Sequence, residues 1–163
     1  MNPDTDADVL QMLADQHQIR ELLLQYFVNV DRRVWPPVKA VFVPGTLVDY
    51  SELMPIADAV AAEDVVDRIE AAIGLYSVTV HHMGNCEIVV ESDTARSETW
   101  VNAHHVYADP ARNDGRMPIA GLRYQDRWDR TPAGWRIRHR RAFTDWRAWW
   151  DHRPPTYVDG RHQ

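Results

Sequence analysis

Between Ile19 and Asp31 the chain repeats apolar side chains at helical spacing. Ile19, Leu23 and Phe27 recur every fourth residue, with Leu24 and Val30 close to the same face. The pattern predicts a first helix over 7–31. Pro36 and Pro37 stop it and open a short second helix over 38–42. Pro44-Gly45 marks a turn, 46–50 reads as a short strand, and Val65, Val66 and Ile69 predict the buried side of a third helix over 61–73. From residue 78 the period changes to two. Strands are predicted over 78–90, 94–107, 119–130 and 135–144, divided by a Ser92-Asp93 turn, a polar loop over 108–118 and a turn over 131–134. Three helices followed by an antiparallel meander describe an α+β domain in which a curved sheet wraps round a long helix.

The first helical stripe closes on a carboxylate, Asp31. A buried, unpaired carboxylate is costly, so it shifts its pKa or finds a hydrogen-bonding partner. Two readings are open from the stripe alone. Either Asp31 faces a cavity as a candidate base, or the helix frays and Asp31 pairs with Arg32 or Arg33 in solvent.

Length and charge narrow the function classes. A chain of 163 residues suits one compact domain with a real core. No apolar run approaches membrane-spanning length and the polar start lacks signal-peptide character, so no membrane partner and a cytoplasmic location are expected. Cys86, the single cysteine, fits a reducing compartment. A formal net charge of −6 argues against nucleic-acid binding. The basic residues nevertheless crowd the C-terminal part, and Lys39 is the chain's one lysine. In the run from Trp135 to Arg141, Trp135 and Ile137 alternate with Arg136 and Arg138, the signature of a strand with one wet face rather than a nucleic-acid stripe.

Two histidine doublets, His81-His82 and His104-His105, fall on the first two long strands. A two-residue loop at Ser92-Asp93 sets His81 opposite His104; a three-residue loop sets it opposite His105. Histidine is suited to proton transfer near neutral pH, and two imidazoles facing a carboxylate would make an acid–base site. A purely structural pair is the competing reading. No metal is expected, because no His-x-x-x-His or carboxylate-spaced set is present. Periodicity alone turns His82 inward, since Val78, Val80, His82, Cys86 and Ile88 form the more apolar face. His105 shares a strand face with Val101 and Ala103 and is the candidate second imidazole, with His104 in reserve.

Five motifs carry a resemblance. They are Asn29-Val-Asp31-Arg-Arg33, Leu47-Val-Asp-Tyr50, Val80-His81-His-Met-Gly-Asn85, Gly121-Leu-Arg-Tyr124 and Gly134-Trp-Arg-Ile137. Together, over about 10–144, they resemble the SnoaL-like branch of the nuclear transport factor 2-like superfamily. Within it, the chain is similar to the group that contains scytalone dehydratase, hexachlorocyclohexane dehydrochlorinase and a bile-acid dehydratase. The resemblance implies a cone-shaped α+β barrel, with the long N-terminal helix packed in a curved mixed or antiparallel sheet. The domain would span 9–145, between a flexible 1–8 and an aromatic tail over 146–163; Trp146, Trp149 and Trp150 would cap the cone or line an oligomer interface, with ordinary packing as the other reading.

The resemblance also implies roles. An aspartate ending the first helix would hold a sheet histidine, and that histidine would take a proton from substrate, which assigns Asp31 and His81. His81 is preferred over His82 because the family histidine stands four residues before an asparagine, here Asn85. Tyr50 matches a tyrosine that polarises a substrate oxygen, and Tyr124 and His105 are further candidate wall residues. Arg140 falls near a pocket position, with a solvated arginine as the other reading. Val30 replaces the tyrosine that precedes the aspartate in scytalone dehydratase, which speaks against scytalone as substrate.

The expected function is a cofactor-free, dehydratase-like lyase acting on a small hydrophobic, cyclic molecule. An isomerase or cyclase with the same dyad, or a small-ligand binding protein, are the alternatives. Relatives commonly form dimers or trimers, so a homo-oligomer is expected, with Trp100 and Trp128 on the sheet's outer face.

Overall fold

The computed structural model describes residues 5–57 and 59–150; residues 1–4 and the rest of the tail, with Pro154-Pro155, lie outside it. Helix α1 (Asp6–Arg32) starts inside the stretch read as flexible, because Thr5 caps it. The Thr5 hydroxyl accepts the Asp8 amide at 3.2 Å and donates to the Asp8 carboxylate at 2.7 Å. Its buried stripe runs from Asp15 through Ile19, Leu23, Tyr26 and Phe27 to Val30. Burying each large apolar side chain of this kind contributes on the order of 1.5–3 kcal/mol. Helix α2 (Trp35–Ala40) begins earlier than predicted. Pro36 and Pro37 sit in its first turn, where the amides they lack have no helical acceptor anyway.

Strand β1 (Leu47–Asp49), the unpredicted two-residue β2 (Val60–Ala61) and helix α3 (Ala62–Ile73) follow. Then come β3 (Tyr76–Glu91), β4 (Thr94–Tyr107), a 3₁₀ turn (Arg112–Gly115) inside the predicted loop, β5 (Met117–Thr131) and β6 (Gly134–Trp150). The sheet order is β2-β1-β6-β5-β4-β3. Its meander is antiparallel, while β1 runs parallel to β6, so the sheet is mixed and open at both edges. Helix α1 lies in its hollow, chiefly against β3. This is the expected α+β cone.

One irregularity decides which residues enter that hollow. Glu91 pairs with Thr94, as a two-residue loop requires, and the register holds down to Cys86 opposite Thr99. Past Gly84-Asn85 it slips by one residue. His81 therefore faces Ala103, while His104 and His105 pair with Val80 and Thr79, which corrects both predicted partners of His81. A one-residue bulge also inverts the in-and-out alternation. Cys86, Ile88 and Val90 pack on the core beyond it, whereas Met83 and Thr79 do so before it. The apolar face traced through Val78, Val80, His82, Cys86 and Ile88 is thus two different faces, and His82 is exposed.

Two further expectations change. Strand β6 continues past residue 144 to Trp150 because β5 starts early enough to pair with it, Met117 opposite Trp150. Trp128 is buried rather than outward, since it shares the inner face with Tyr124 and Asp126, and its indole N–H donates to Ser97 Oγ at 2.9 Å.

Candidate active site

The last turn of α1 presents Asp31 to β3. The chain leaves the helix through Arg33 in the left-handed region (φ 60°), whose amide returns to the last turn's carbonyls. Asp31 Oδ1 lies 2.6 Å from His81 Nδ1, and Oδ2 accepts the His81 backbone amide at 2.9 Å. The Thr79 hydroxyl adds a long contact of 3.5 Å to Oδ1. Two bonds from one residue fix both the carboxylate and the ring. A carboxylate only accepts, so the geometry assigns the proton to Nδ1 and leaves Nε2 as the basic nitrogen available to the cavity. The His81 side chain is 8% exposed and Asp31 23%. The solvated reading of Asp31, paired with Arg32 or Arg33, therefore falls.

His81 lines a cavity of about 360 Å³ whose walls are otherwise largely apolar and aromatic. Phe27 stacks near its ring at 6.0 Å, and His105 meets it edge-on at 5.5 Å. His105 lines the same cavity and stacks on Tyr76 at 4.4 Å. Its Nδ1 is buried with no hydrogen-bond partner. Burial first, then the nearby His81, pull its pKa down to about 4, so its imidazole is neutral near pH 7. His82 and His104 share the opposite face of the strands, 5.7 Å apart, against a separate outer pocket.

Tyr50 and Tyr124 line the cavity and are buried. The Tyr50 hydroxyl sits 3.1 Å from that of Tyr26 and 3.5 Å from Arg140 Nη1. Burial raises the phenols of Tyr26 and Tyr124 well above their usual range, which keeps both protonated as donors. Arg140 is not on the cavity wall. It is fully buried one layer behind, gripped by Asp126 through Nε at 2.7 Å and Nη2 at 2.8 Å. Its guanidinium lies over the rings of Tyr26 (4.5 Å) and Tyr124 (4.9 Å). Burial opposes its charge most strongly, and the Asp126 carboxylate together with the Tyr50 and Tyr26 phenols more than offsets burial, holding the guanidinium well above its ordinary pKa. The solvated reading of Arg140 is overturned, and its reach to the cavity runs through Tyr50.

The structure thus gathers His81, His105, Tyr50 and Tyr124 on one cavity and sets Asp31 and Arg140 behind them. Trp149, from the aromatic stretch weighed as a cap of the cone, also lines the cavity, and sequence reasoning missed Tyr26, Tyr76 and Arg147, which line it as well. For Tyr26 the signal was present: it continues Ile19 and Leu23 at helical spacing. Tyr76 follows the third helix with no local pattern to mark it, and Arg147 lies on the unforeseen end of β6.

A family model described as SnoaL-like domain matches residues 11–141. The uncharacterized protein Rv2910c of Mycobacterium tuberculosis is 30% identical over 125 residues, which cover 77% of this chain and 82% of that one. Two solved structures share the fold. A candidate scytalone dehydratase from Novosphingobium aromaticivorans is 20% identical with a TM-score of 0.72, over 90% of this chain and 97% of that one. The hexachlorocyclohexane dehydrochlorinase LinA-type3 from Novosphingobium barchaimii LL02 is 14% identical with a TM-score of 0.72, over 90% and 99%.

Proposed function

Because this chain belongs to the SnoaL-like domain family, we propose that it is a cofactor-free, dehydratase-like lyase in which Asp31 and His81 act as a dyad on a small hydrophobic, cyclic substrate. The supporting observation is the 2.6 Å contact between His81 Nδ1 and Asp31 Oδ1 at the wall of an apolar cavity. The two named structural relatives, a dehydratase and a dehydrochlorinase, are both eliminating enzymes by name.

In this mechanism His81 Nε2 takes a proton from a carbon next to a carbonyl, and Asp31 stabilises the imidazolium that forms. Tyr50 donates a hydrogen bond to the carbonyl oxygen as it becomes an enolate. Tyr26 and Arg140, both within reach of the Tyr50 hydroxyl, position it for that task. The enolate then collapses to an enone as the bond from the adjacent carbon to its hydroxyl breaks. The imidazolium returns its proton to the leaving hydroxyl, so one water departs and His81 is restored. Neutral His105 offers a second polar contact in an otherwise apolar wall.

The test is deuterium uptake from D₂O at the carbon next to the carbonyl of cyclic ketones, with cyclic β-hydroxy ketones run alongside for enone formation. The unaltered protein catalyses both, and His81→Ala abolishes both. Asp31→Asn lowers the rates by about 10³–10⁴-fold while the far-UV circular dichroism is unchanged. Exchange without enone formation would identify an isomerase or cyclase using the same dyad. Full exchange by His81→Ala, or none by the unaltered protein, would remove the mechanism and leave a small-ligand binding protein.

A further inference from the structure

Arg147 is the one permanently charged side chain on the cavity wall among the described residues, which include no Asp, Glu or Lys there. It lies on β6, close to Trp149, which also lines the cavity. Its Nη2 donates to the carbonyls of Glu52 (3.4 Å) and Leu53 (3.1 Å) and to the Thr144 hydroxyl (3.3 Å). All three acceptors are neutral. On the same strand Arg138, Arg140 and Arg141 each meet a carboxylate. Arg147 meets none among the described residues, and the nearby Glu52 carboxylate is drawn to Arg141 instead. The Arg147 charge is also felt at the Tyr76 phenol on the cavity wall, where it opposes the upward pull of burial and of Tyr107.

A guanidinium tethered by neutral acceptors keeps its whole charge and is pre-organised for an anion. A carboxylate placed in the apolar depth would be penalised for lost hydration, whereas at the exposed Arg147 it stays partly in water. We infer that the cavity takes a ring-bearing carboxylic acid, with the ring in the apolar interior beside His81 and the carboxylate at the mouth on Arg147. This deepens the proposed function by naming a substrate class, and rests on the same cavity being the substrate site.

The experiment measures binding, not turnover. Three carboxylates (1-naphthoate, 2-naphthoate and cyclohexylacetate) are titrated calorimetrically beside their neutral amides against the unaltered protein, Arg147→Met, Arg147→Lys and His81→Ala. At least one acid binds the unaltered protein about tenfold or more tightly than its amide. Arg147→Met erases that preference and leaves amide affinity within about twofold, Arg147→Lys keeps part of it, and added salt shrinks it. His81→Ala retains it, so a protein that fails the deuterium test and still prefers the acid loses the lyase reading and keeps this one. The inference is overturned if no acid binds more tightly than its amide, or if the preference survives in Arg147→Met.

Discussion

At the scale of single residues, the cavity chemistry turns on how each imidazole is held. His81 is bound at Nδ1 by a carboxylate, whereas His105 has a buried Nδ1 with no partner. The His105 pKa, lowered to about 4 from 6.5, has a thermodynamic consequence. Between those values the unfolded chain binds a proton that the folded chain does not, so the contribution of His105 to stability falls as pH drops from 6.5 towards 4. Replacing it by glutamine should flatten the stability–pH curve in that window relative to the unaltered protein, by up to about 3 kcal/mol. Urea denaturation at a series of pH values measures this, and parallel curves for the two proteins would contradict it. The candidate residues themselves were largely visible in the sequence. Asp31 stood out as a carboxylate on an apolar stripe, and the resemblance pointed to His81 and Tyr50. Arg140 was ambiguous because its burial depends on Asp126, a residue on the neighbouring strand with no local signal linking the two.

At the scale of elements, α1 is fastened to the sheet at both ends. Near its C-terminus the fastening is Asp31 on β3. Towards its N-terminus, Asp15 is buried and accepts two bonds from Arg130, at 2.8 and 2.7 Å, and one from the Trp135 indole at 3.0 Å. Arg130 also reaches Asp93 at 3.0 Å, so one ion-pair network joins α1, the β3–β4 turn and the β5–β6 hairpin. The hydrogen bonds from Arg130 chiefly, helped by Trp135 and Gln11, hold the Asp15 carboxyl below its ordinary 3.8 against the upward pull of burial. A carboxylate with a lowered folded-state pKa contributes stability above its unfolded value and loses it as pH falls through the folded one. Asp15→Ala should therefore cost about 2–4 kcal/mol near neutral pH, because it strands the Arg130 charge and the Trp135 donor. The gap from the unaltered protein should narrow below pH 3.8. Thermal unfolding across pH checks this, and a cost independent of pH would assign the effect to packing alone. The types of the main elements were legible because helix and strand periods are local properties. The two-residue β2 and the far end of β6 were not, since each exists only through its pairing partner.

At the scale of the whole molecule, the cone works by leaving its wide end unfilled. Helix α1 plugs the hollow along β3, and the space left between α1, α3 and the strands is the cavity lined by His81 and Ala103. Ala103 is buried directly opposite His81, so a larger side chain there grows into the cavity. Ala103→Leu should weaken binding of the tightest of the three acids by about tenfold or more, with the thermal midpoint shifted by less than about 4 °C. Unchanged affinity would place the ligand outside this cavity. The sequence by itself determined the α+β class, the long first helix closed by Asp31, the histidine-bearing strands and the family. Each of these is written in local periodicity or in short motifs. Periodicity along the chain turned His82 inward, and tertiary structure alone supplied the reason His81 takes that place, because the bulge at Gly84-Asn85 inverts the alternation without altering any residue type. It alone also set Arg140 behind the wall and Arg147 at the mouth. Whether an arginine meets a carboxylate, a phenol or open space depends on which surfaces fold against it, and the order of residues along the chain does not contain that distance.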